Sequence, residues 1–336
     1  MSQSTDAPLP GGLHTVAAPV PPRARLLDYL AIARFDHATK HVFIIPGMIL
    51  AYALRGLLPD HLTIMLLAGC CSAVSIASAN YVINEWLDRE FDAHHPSKSK
   101  RTAVNTRLSP AIVYTEYVIL LAIGIALSLY IGSFFFTTSI LFALSGVLYN
   151  VNPVRTKDRA YLDVISESIN NPLRLTLGWT MIDPVSLPPT SLLLAYWGGG
   201  AFLMAAKRLS EYRDIHADAG IEVLHLYRRS FRYYTAENLT VSCFLYAISS
   251  AFFLAVFLIK YRVEYILAFP FIAFLFAVYL WLALLKNSIA QRPERLFRSR
   301  RLVVTLAALI VLLLVLTFVN LPFLEYVSDP SFTVLK

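Results

Sequence analysis

Asn84, Asp88 and Asp92 recur at four-residue intervals in the stretch Asn84-Glu85-Trp86-Leu87-Asp88-Arg89-Glu90-Phe91-Asp92. On an α-helix that interval advances only about 40° per step, so the three side chains form one ridge with Glu85 beside it. Two carboxylates and an amide on one face make a hard oxygen site suited to Mg2+, which takes one or two carboxylates plus substrate phosphates. A solvated helix end is the plainer reading. The stretch begins where apolar sequence gives way, however, and carboxylates at a membrane boundary are costly. The metal reading is favoured.

Basic residues follow directly, in His95-Pro96-Ser97-Lys98-Ser99-Lys100-Arg101. Pro96 ends the helix near His95. Lys98 and Arg101 can then fold back over a polyphosphate held by the acidic ridge. Alone they would read as lipid-headgroup contacts; beside the ridge they read as phosphate ligands.

Two further polar clusters interrupt apolar sequence. One runs from Tyr149 through Lys157 to Asp163, Asn170, Asn171 and Arg174. Asp163 and Asn170 are seven apart and Asn170 and Arg174 four apart, so one continuous helix would place all three on a face. An intramembrane Arg174 is either half of a buried structural pair or a substrate ligand, and the sequence leaves both open. The other cluster is Lys207-Arg208-Leu209-Ser210-Glu211. There Lys207 and Glu211 make a surface pair worth tenths of a kcal/mol, unless they share a site with the first two clusters.

The elements that must position these groups are transmembrane. Of 336 residues, 57% are hydrophobic and 15% charged; a soluble domain needs about a quarter charged. Apolar runs near bilayer length predict nine helices, at about 41–58, 62–83, 109–131, 134–149, 161–181, 189–206, 237–259, 263–285 and 302–324. Residues 1–26, rich in Pro, Gly, Ala and Ser, read as a disordered cytoplasmic tail without signal-peptide features, and 27–336 as one all-α membrane bundle. With the N-terminus inside, 24 Lys and Arg fall in inner segments and four in outer ones. The positive-inside rule then sets the topology and puts all three clusters on the cytoplasmic face of the inner (plasma) membrane. The net charge of +7 is therefore topological and implies no nucleic-acid partner. Cys70, Cys71 and Cys243 lie in apolar runs without metal-ligand spacing. Neither a P-loop, a GxSxG nor an HExxH motif occurs, and the basic 286–301 stretch reads as an anionic-lipid contact.

An Asn-(Asp/Glu)-x-x-Asp-x-x-x-Asp motif ending helix 2 of a nine-helix bundle resembles the UbiA superfamily of intramembrane transferases, over nearly all of residues 30–325. That resemblance implies Mg2+ held by Asp88 and Asp92 with Asn84 and Glu85 assisting, and a diphosphate donor whose attached group moves to a lipid-soluble or aromatic acceptor. Aromatic prenyltransferases of the superfamily carry a second DxxxD motif near the end of helix 6; here Lys207-Arg208-x-x-Glu211 stands instead. With His95-Pro96-x-Lys98-x-x-Arg101 and Leu162-Asp163-Val164…Leu173-Arg174, this pattern is similar to polyprenyl-phosphate phosphoribosyltransferases of the decaprenyl-phosphate type. Rhizobial nodulation proteins linked to arabinosylation resemble the same branch. Glu85 departs from its commoner Asp, and Thr102 from its Pro.

The resemblance implies transfer of 5-phosphoribosyl from phosphoribosyl diphosphate to a polyprenyl phosphate. Phosphoribosyl diphosphate bears phosphate at both ends, and Lys98, Arg101, Lys157, Lys207 and Arg208 are the cations that could meet it. Lys207, Arg208 and Arg174 are expected to position phosphates, and Glu211 or Asp163 to orient cations or ribose hydroxyls. Tyr149 and Asn171 are expected to line the substrate site. Prenyl transfer from a prenyl diphosphate to an aromatic or quinone acceptor is the alternative. A transporter or non-catalytic membrane protein ranks below both, because the acidic groups gather at the interface and not at the midplane.

Overall fold

The structure is a computed structural model and describes residues 22–95, 98–286, 288–291 and 299–328. Residues 1–21 of the expected tail and Arg292, Arg295 and Arg298 of the basic stretch lie outside the described residues.

The architecture is all-helical. Helices run in the order α1 (Leu26–Ala33), α2 (Ile45–Arg55), α3 (Leu62–Asp92), α4 (Thr102–Asn105), α5 (Pro110–Ile131), α6 (Ser133–Asn150) and α7 (Leu162–Ser168). They continue with α8 (Asn170–Ile182), α9 (Thr190–Tyr227), α10 (Ala236–Tyr261), α11 (Phe269–Leu284), α12 (Arg300–Phe318) and α13 (Pro322–Ser328). Among the described residues no β-strand occurs, only an isolated parallel bridge between Arg23 and Arg107. That bridge ties the end of the tail to the bundle: Arg107 N donates to Pro22 O (2.9 Å) and Ala24 N to Arg107 O (3.3 Å).

Among the described residues, five helical segments are long and apolar enough to cross a membrane: Leu62–Asp92, Pro110–Ile131, Ser133–Asn150, Ala236–Tyr261 and Val263–Leu284. The other predicted runs form helices of different shape. The 41–58 run is split between a 3-10 segment (Phe35–Ile44) and α2. The 161–181 run breaks at Ile169, between α7 and α8. Pro172, with no N–H to bond the Ser168 carbonyl, interrupts the hydrogen-bond ladder there, while Ile169 keeps helical φ and ψ (−59° and −22°). The 189–206 run extends to Tyr227, with one interruption at Gly220 (φ 86°), a conformation glycine adopts without steric cost.

Close helix contact uses small residues. A Cβ on Gly47 would overlap the Leu175 carbonyl, and one on Gly178 would overlap the Ile44 carbonyl. Backbones of α2 and α8 therefore touch directly, as membrane helices do where small residues meet. Large side chains point outward in quantity (Leu129, Phe244, Phe252, Phe274 and Val311 are exposed). Such a surface is unfavourable in water and suits hydrocarbon. Most of the buried charged residues gather at one end of the bundle, where α3, α7 and the far part of α9 come together.

Candidate active site

The acidic ridge forms as its spacing predicts. α3 continues through Asp92, so Asn84, Asp88 and Asp92 stand on successive turns. Asn84 Nδ2 donates to Asp88 Oδ2 (3.1 Å) and to Asn150 Oδ1 at the end of α6 (2.6 Å). Lys157 bonds Asp88 Oδ1 and donates to Asn150 Oδ1 (2.8 Å). Arg155 Nη2 reaches the same Asp88 oxygen (3.1 Å) while its Nη1 donates to Asn150 O (2.9 Å). Asp92 pairs with Arg101. The segment after α3 thus folds back over the ridge, as the placement of Pro96 anticipates, although Pro96 itself lies outside the described residues.

Glu85 is a correction. It sits 100° around the helix from Asn84 and is engaged by Arg34, whose Nε donates to Glu85 Oε2 (2.8 Å), and by Ala103 N (3.4 Å). Its carboxylate fastens α1 and α4 to α3 and does not stand open beside Asp88 as a ligand.

A second cluster surrounds Arg208, which is 2% exposed. Its three nitrogens donate to Glu167 Oε2 (2.6 Å), Glu211 Oε2 (2.7 Å) and Asp163 Oδ2 (3.4 Å). Asp163 also accepts from Tyr234 OH (2.6 Å) and Ser230 Oγ (3.1 Å), and pairs with Arg228 (3.1 Å). Tyr149 OH donates to Glu167 Oε2 (2.7 Å) and accepts from Arg228 Nη2 (2.9 Å).

The two clusters are joined. Lys98 bonds Tyr227 OH and lies 3.9 Å from Glu211 Oε1, and His95 meets the Tyr227 ring edge-on, centroids 4.3 Å apart. Lys157 lies 5.8 Å from the Tyr149 ring centroid. Burial lowers the ammonium pKa of Lys98 to about 8, with Glu211 opposing the shift. Burial does the same to Lys157, against the pull of Asp88, and again the value is about 8. His95 is driven to about 3 by burial and then by Lys98, so it is a neutral imidazole. Lys207 is half-buried beside Glu211 and Glu167, and among the described residues it makes no hydrogen bond or ion pair.

Asn170 and Arg174 share the face of α8 that meets α6, and Asp163 lies apart from them on α7. Asp163 joins the Arg208 cluster, Asn170 Oδ1 lies 2.8 Å from Ser145 Oγ, and the Arg174 guanidinium sits 5.1 Å from the Phe142 ring centroid. Asn171 is buried against Gly200, where a Cβ would overlap its amide.

Sequence reasoning passed over Arg34, Arg155, Glu167, Tyr227, Arg228 and Tyr234. Arg155 and Glu167 stand inside the second polar stretch, and the rarity of charge near apolar runs is a signal that could have found them. The partners of Arg228 and Tyr234 are more than 60 residues away in sequence, and no local spacing announces them.

Among the described residues no group of three or more His, Cys, Asp and Glu could hold a metal alone. Asp88 and Asp92 with the Asn84 amide nonetheless fit Mg2+, which keeps open positions for water and phosphate and seldom uses an all-protein cage. Asp88 and Asp92 are met by cations that a divalent ion and a phosphate could each re-engage.

Residues 42–301 match the profile of the UbiA prenyltransferase family. Among curated proteins, the nodulation protein NoeC of Azorhizobium caulinodans is 25% identical over 233 residues, covering 69% of this chain and 71% of its own. The fold is similar to a UbiA homolog from Archaeoglobus fulgidus solved with GPP and Mg2+ (TM-score 0.65, 18% identity, 87% of this chain and all of the other). The same homolog solved with DMAPP and Mg2+ aligns with a TM-score of 0.64, at the same identity and coverage. A digeranylgeranylglyceryl phosphate synthase structure is similar at TM-score 0.57 and 15% identity, over 87% of this chain and 96% of the other. With the family matched across most of its length, this chain belongs to the UbiA prenyltransferase family and is an integral membrane transferase.

Proposed function

We propose that the protein is a Mg2+-dependent phosphoribosyltransferase. It moves 5-phosphoribosyl from phosphoribosyl diphosphate to a polyprenyl phosphate such as decaprenyl phosphate, releasing diphosphate, as a precursor step for lipid-linked D-ribose or D-arabinose donors. The proposal includes nine membrane spans in the inner membrane and a site facing the cytosol.

One observation carries it: the balance of charge around the site. Eight basic side chains (Lys98, Arg101, Arg155, Lys157, Lys207, Arg208, Arg228 and Arg229) converge with six carboxylates (Asp88, Asp92, Asp158, Asp163, Glu167 and Glu211). Two separate phosphate groups demand such an excess of cations; a donor phosphorylated at one end demands less. Where a second acidic motif would serve a second metal, Arg208 occupies the centre and Glu211 holds it (2.7 Å).

The chemistry divides among these residues. Asp88 and Asp92, with Asn84, would hold Mg2+, which supplies charge neutralisation for the departing diphosphate. Lys157, Arg155 and Arg101 exchange carboxylate partners for phosphate oxygens and fix the leaving group. Lys98, Lys207 and Arg228 face the other end of the donor, where a 5-phosphate needs cationic partners. Tyr149 and Glu167 orient ribose hydroxyls through the Arg208 network. An acceptor phosphate oxygen forms the new bond to ribosyl C1 as the C1–O bond to diphosphate breaks, and the electron pair leaves with diphosphate. The acceptor is ionised at neutral pH, so no general base is needed.

The GPP- and DMAPP-bound relatives favour a second reading, prenyl transfer to an aromatic or quinone acceptor. A donor competition separates the two. Membranes containing the protein, Mg2+ and polyprenyl phosphate are given labelled phosphoribosyl diphosphate, with and without excess prenyl diphosphate. Label in the lipid fraction that is lost with EDTA and kept with prenyl diphosphate supports phosphoribosyl transfer. Prenylated product with no labelled lipid overturns it.

A further inference from the structure

Arg174 is a guanidinium deep in the bundle. It is 8% exposed. Among the described residues no carboxylate pairs with it, and its buried Nε has no hydrogen-bond partner. Phe142 O accepts from Asn80 Nδ2 (3.0 Å) and from Ser145 Oγ (2.7 Å). Its contact is the Phe142 ring, 5.1 Å from the guanidinium carbon. The ionisable groups around it are Tyr81 and Tyr196, then Glu167, which lies seven residues back along the chain. Tyr196 directs its hydroxyl to Phe43 O (3.3 Å). A cation–π contact offsets only part of the desolvation of a buried guanidinium. An anion is the missing partner.

Depth identifies which anion. Phe142 precedes Asn150 by eight residues on α6, which places the Arg174 layer about 12 Å further into the membrane than the Asn150–Asp88 layer. The departing diphosphate is held at Asp88 and Asp92. A single displacement at ribosyl C1 brings the nucleophile to the face opposite the leaving group, and here the opposite face is the membrane side. The nucleophile is itself a phosphate carried on a chain that stays in hydrocarbon.

We infer that Arg174 is the anchor for the phosphate of the lipid acceptor, and that it makes the enzyme select a polyprenyl phosphate over the free polyprenol. The inference rests on the phosphoribosyl-transfer reading. A planar guanidinium binds two phosphate oxygens side by side and leaves a third for attack. The donor's 5-phosphate is assigned to Lys98, Lys207 and Arg228 near the surface, not to Arg174.

The test is binding without turnover, on the full chain in lipid nanodiscs. Polyprenyl phosphate, the corresponding polyprenol and Mg2+–phosphoribosyl diphosphate are titrated separately against wild type, Arg174→Met and Arg174→Lys. Arg174→Met should weaken polyprenyl phosphate by about thirtyfold or more, leave phosphoribosyl diphosphate within about twofold, and abolish the preference over polyprenol. Arg174→Lys should fall between and, in turnover, raise KM for the lipid phosphate more than it lowers kcat. It also serves alone should the Met variant not fold. Unchanged lipid-phosphate affinity in both variants overturns the inference, as does a loss that falls on phosphoribosyl diphosphate instead. Equal binding of polyprenol and its phosphate by wild type also overturns it. If wild type binds lipid phosphate through Arg174 yet transfers no phosphoribosyl group, the reaction assignment fails and the anchor stands.

Discussion

Two ends of the same bundle each bury carboxylates, and they do so in opposite ways. At the end away from the site, Asp183 closes α8 with few partners: it accepts from Ser186 Oγ (2.6 Å), Val185 N (3.3 Å) and Arg55 Nε (2.9 Å). Ser186 in turn accepts from Trp179 Nε1 (3.0 Å). One carboxylate there has one cation, and that cation is half exposed. At the site end, Asp88 draws Arg155 and Lys157 from nearly 70 residues away, and Arg208 holds three carboxylates at once. A helix stop needs only a few fixed partners. A site that must accept a polyphosphate needs many charges held in place beforehand and able to exchange partners, which is the preorganisation that electrostatic catalysis requires.

The contrast is sharpest at Asp88. Asp88→Asn keeps the shape and most hydrogen-bonding capacity and should lower turnover by about a thousandfold, with an unfolding midpoint in detergent close to wild type. Retained activity would make Asp88 the equivalent of Asp183. Next in size is Arg208→Met, which removes the cation that Asp163, Glu167 and Glu211 share. A loss of about 3–5 kcal/mol is expected, read as a large fall in thermal midpoint with loss of donor binding. A midpoint within a few degrees of wild type would show that the three carboxylates do not depend on Arg208.

Packing between the ends gives an intermediate effect. Gly178→Ala pushes a methyl into the Ile44 carbonyl and should cost about 1–3 kcal/mol, measured by thermal unfolding. Donor affinity per folded molecule should stay the same. A pH limb is smaller still. Lys98 has a lowered pKa of about 8, so its charge is full below that value and lost above it. In kcat/KM for the donor, activity should fall as pH rises through about 8, and Lys98→Arg should move the limb upward; an unmoved limb would assign it elsewhere. At the far end, Arg55→Ala should cost below about 1 kcal/mol, as expected of a half-exposed pair, with turnover unchanged. A marked loss of turnover would erase the distinction between the ends.

Much of the site was legible because its signals are local. The Asn84, Asp88 and Asp92 ridge follows from helical pitch, and the return of Arg101 onto Asp92 from a proline placed after the helix. Chemistry that depends on tertiary pairing was not legible. Glu85 looks like a ligand on spacing alone and is claimed by Arg34, 51 residues away. Asp163 and Arg174 look aligned on spacing alone, yet Asp163 joins the Arg208 cluster while Arg174 meets Phe142 on α6. The reach of α9 to Tyr227 was hidden because residues 207–227 are polar enough to read as a loop, and hydropathy reports membrane burial but not helicity. That extension delivers Tyr227 and Arg228 to the site.

The central claim is that the charged end grips phosphoribosyl diphosphate through a divalent ion at Asp88 and Asp92. Transfer of label from phosphoribosyl diphosphate to polyprenyl phosphate by the purified protein in nanodiscs tests it most directly. The account predicts labelled lipid with Mg2+, none with EDTA, and none from Asp88→Asn. Absence of labelled lipid from folded wild type with Mg2+, or equal labelling with EDTA, would contradict it.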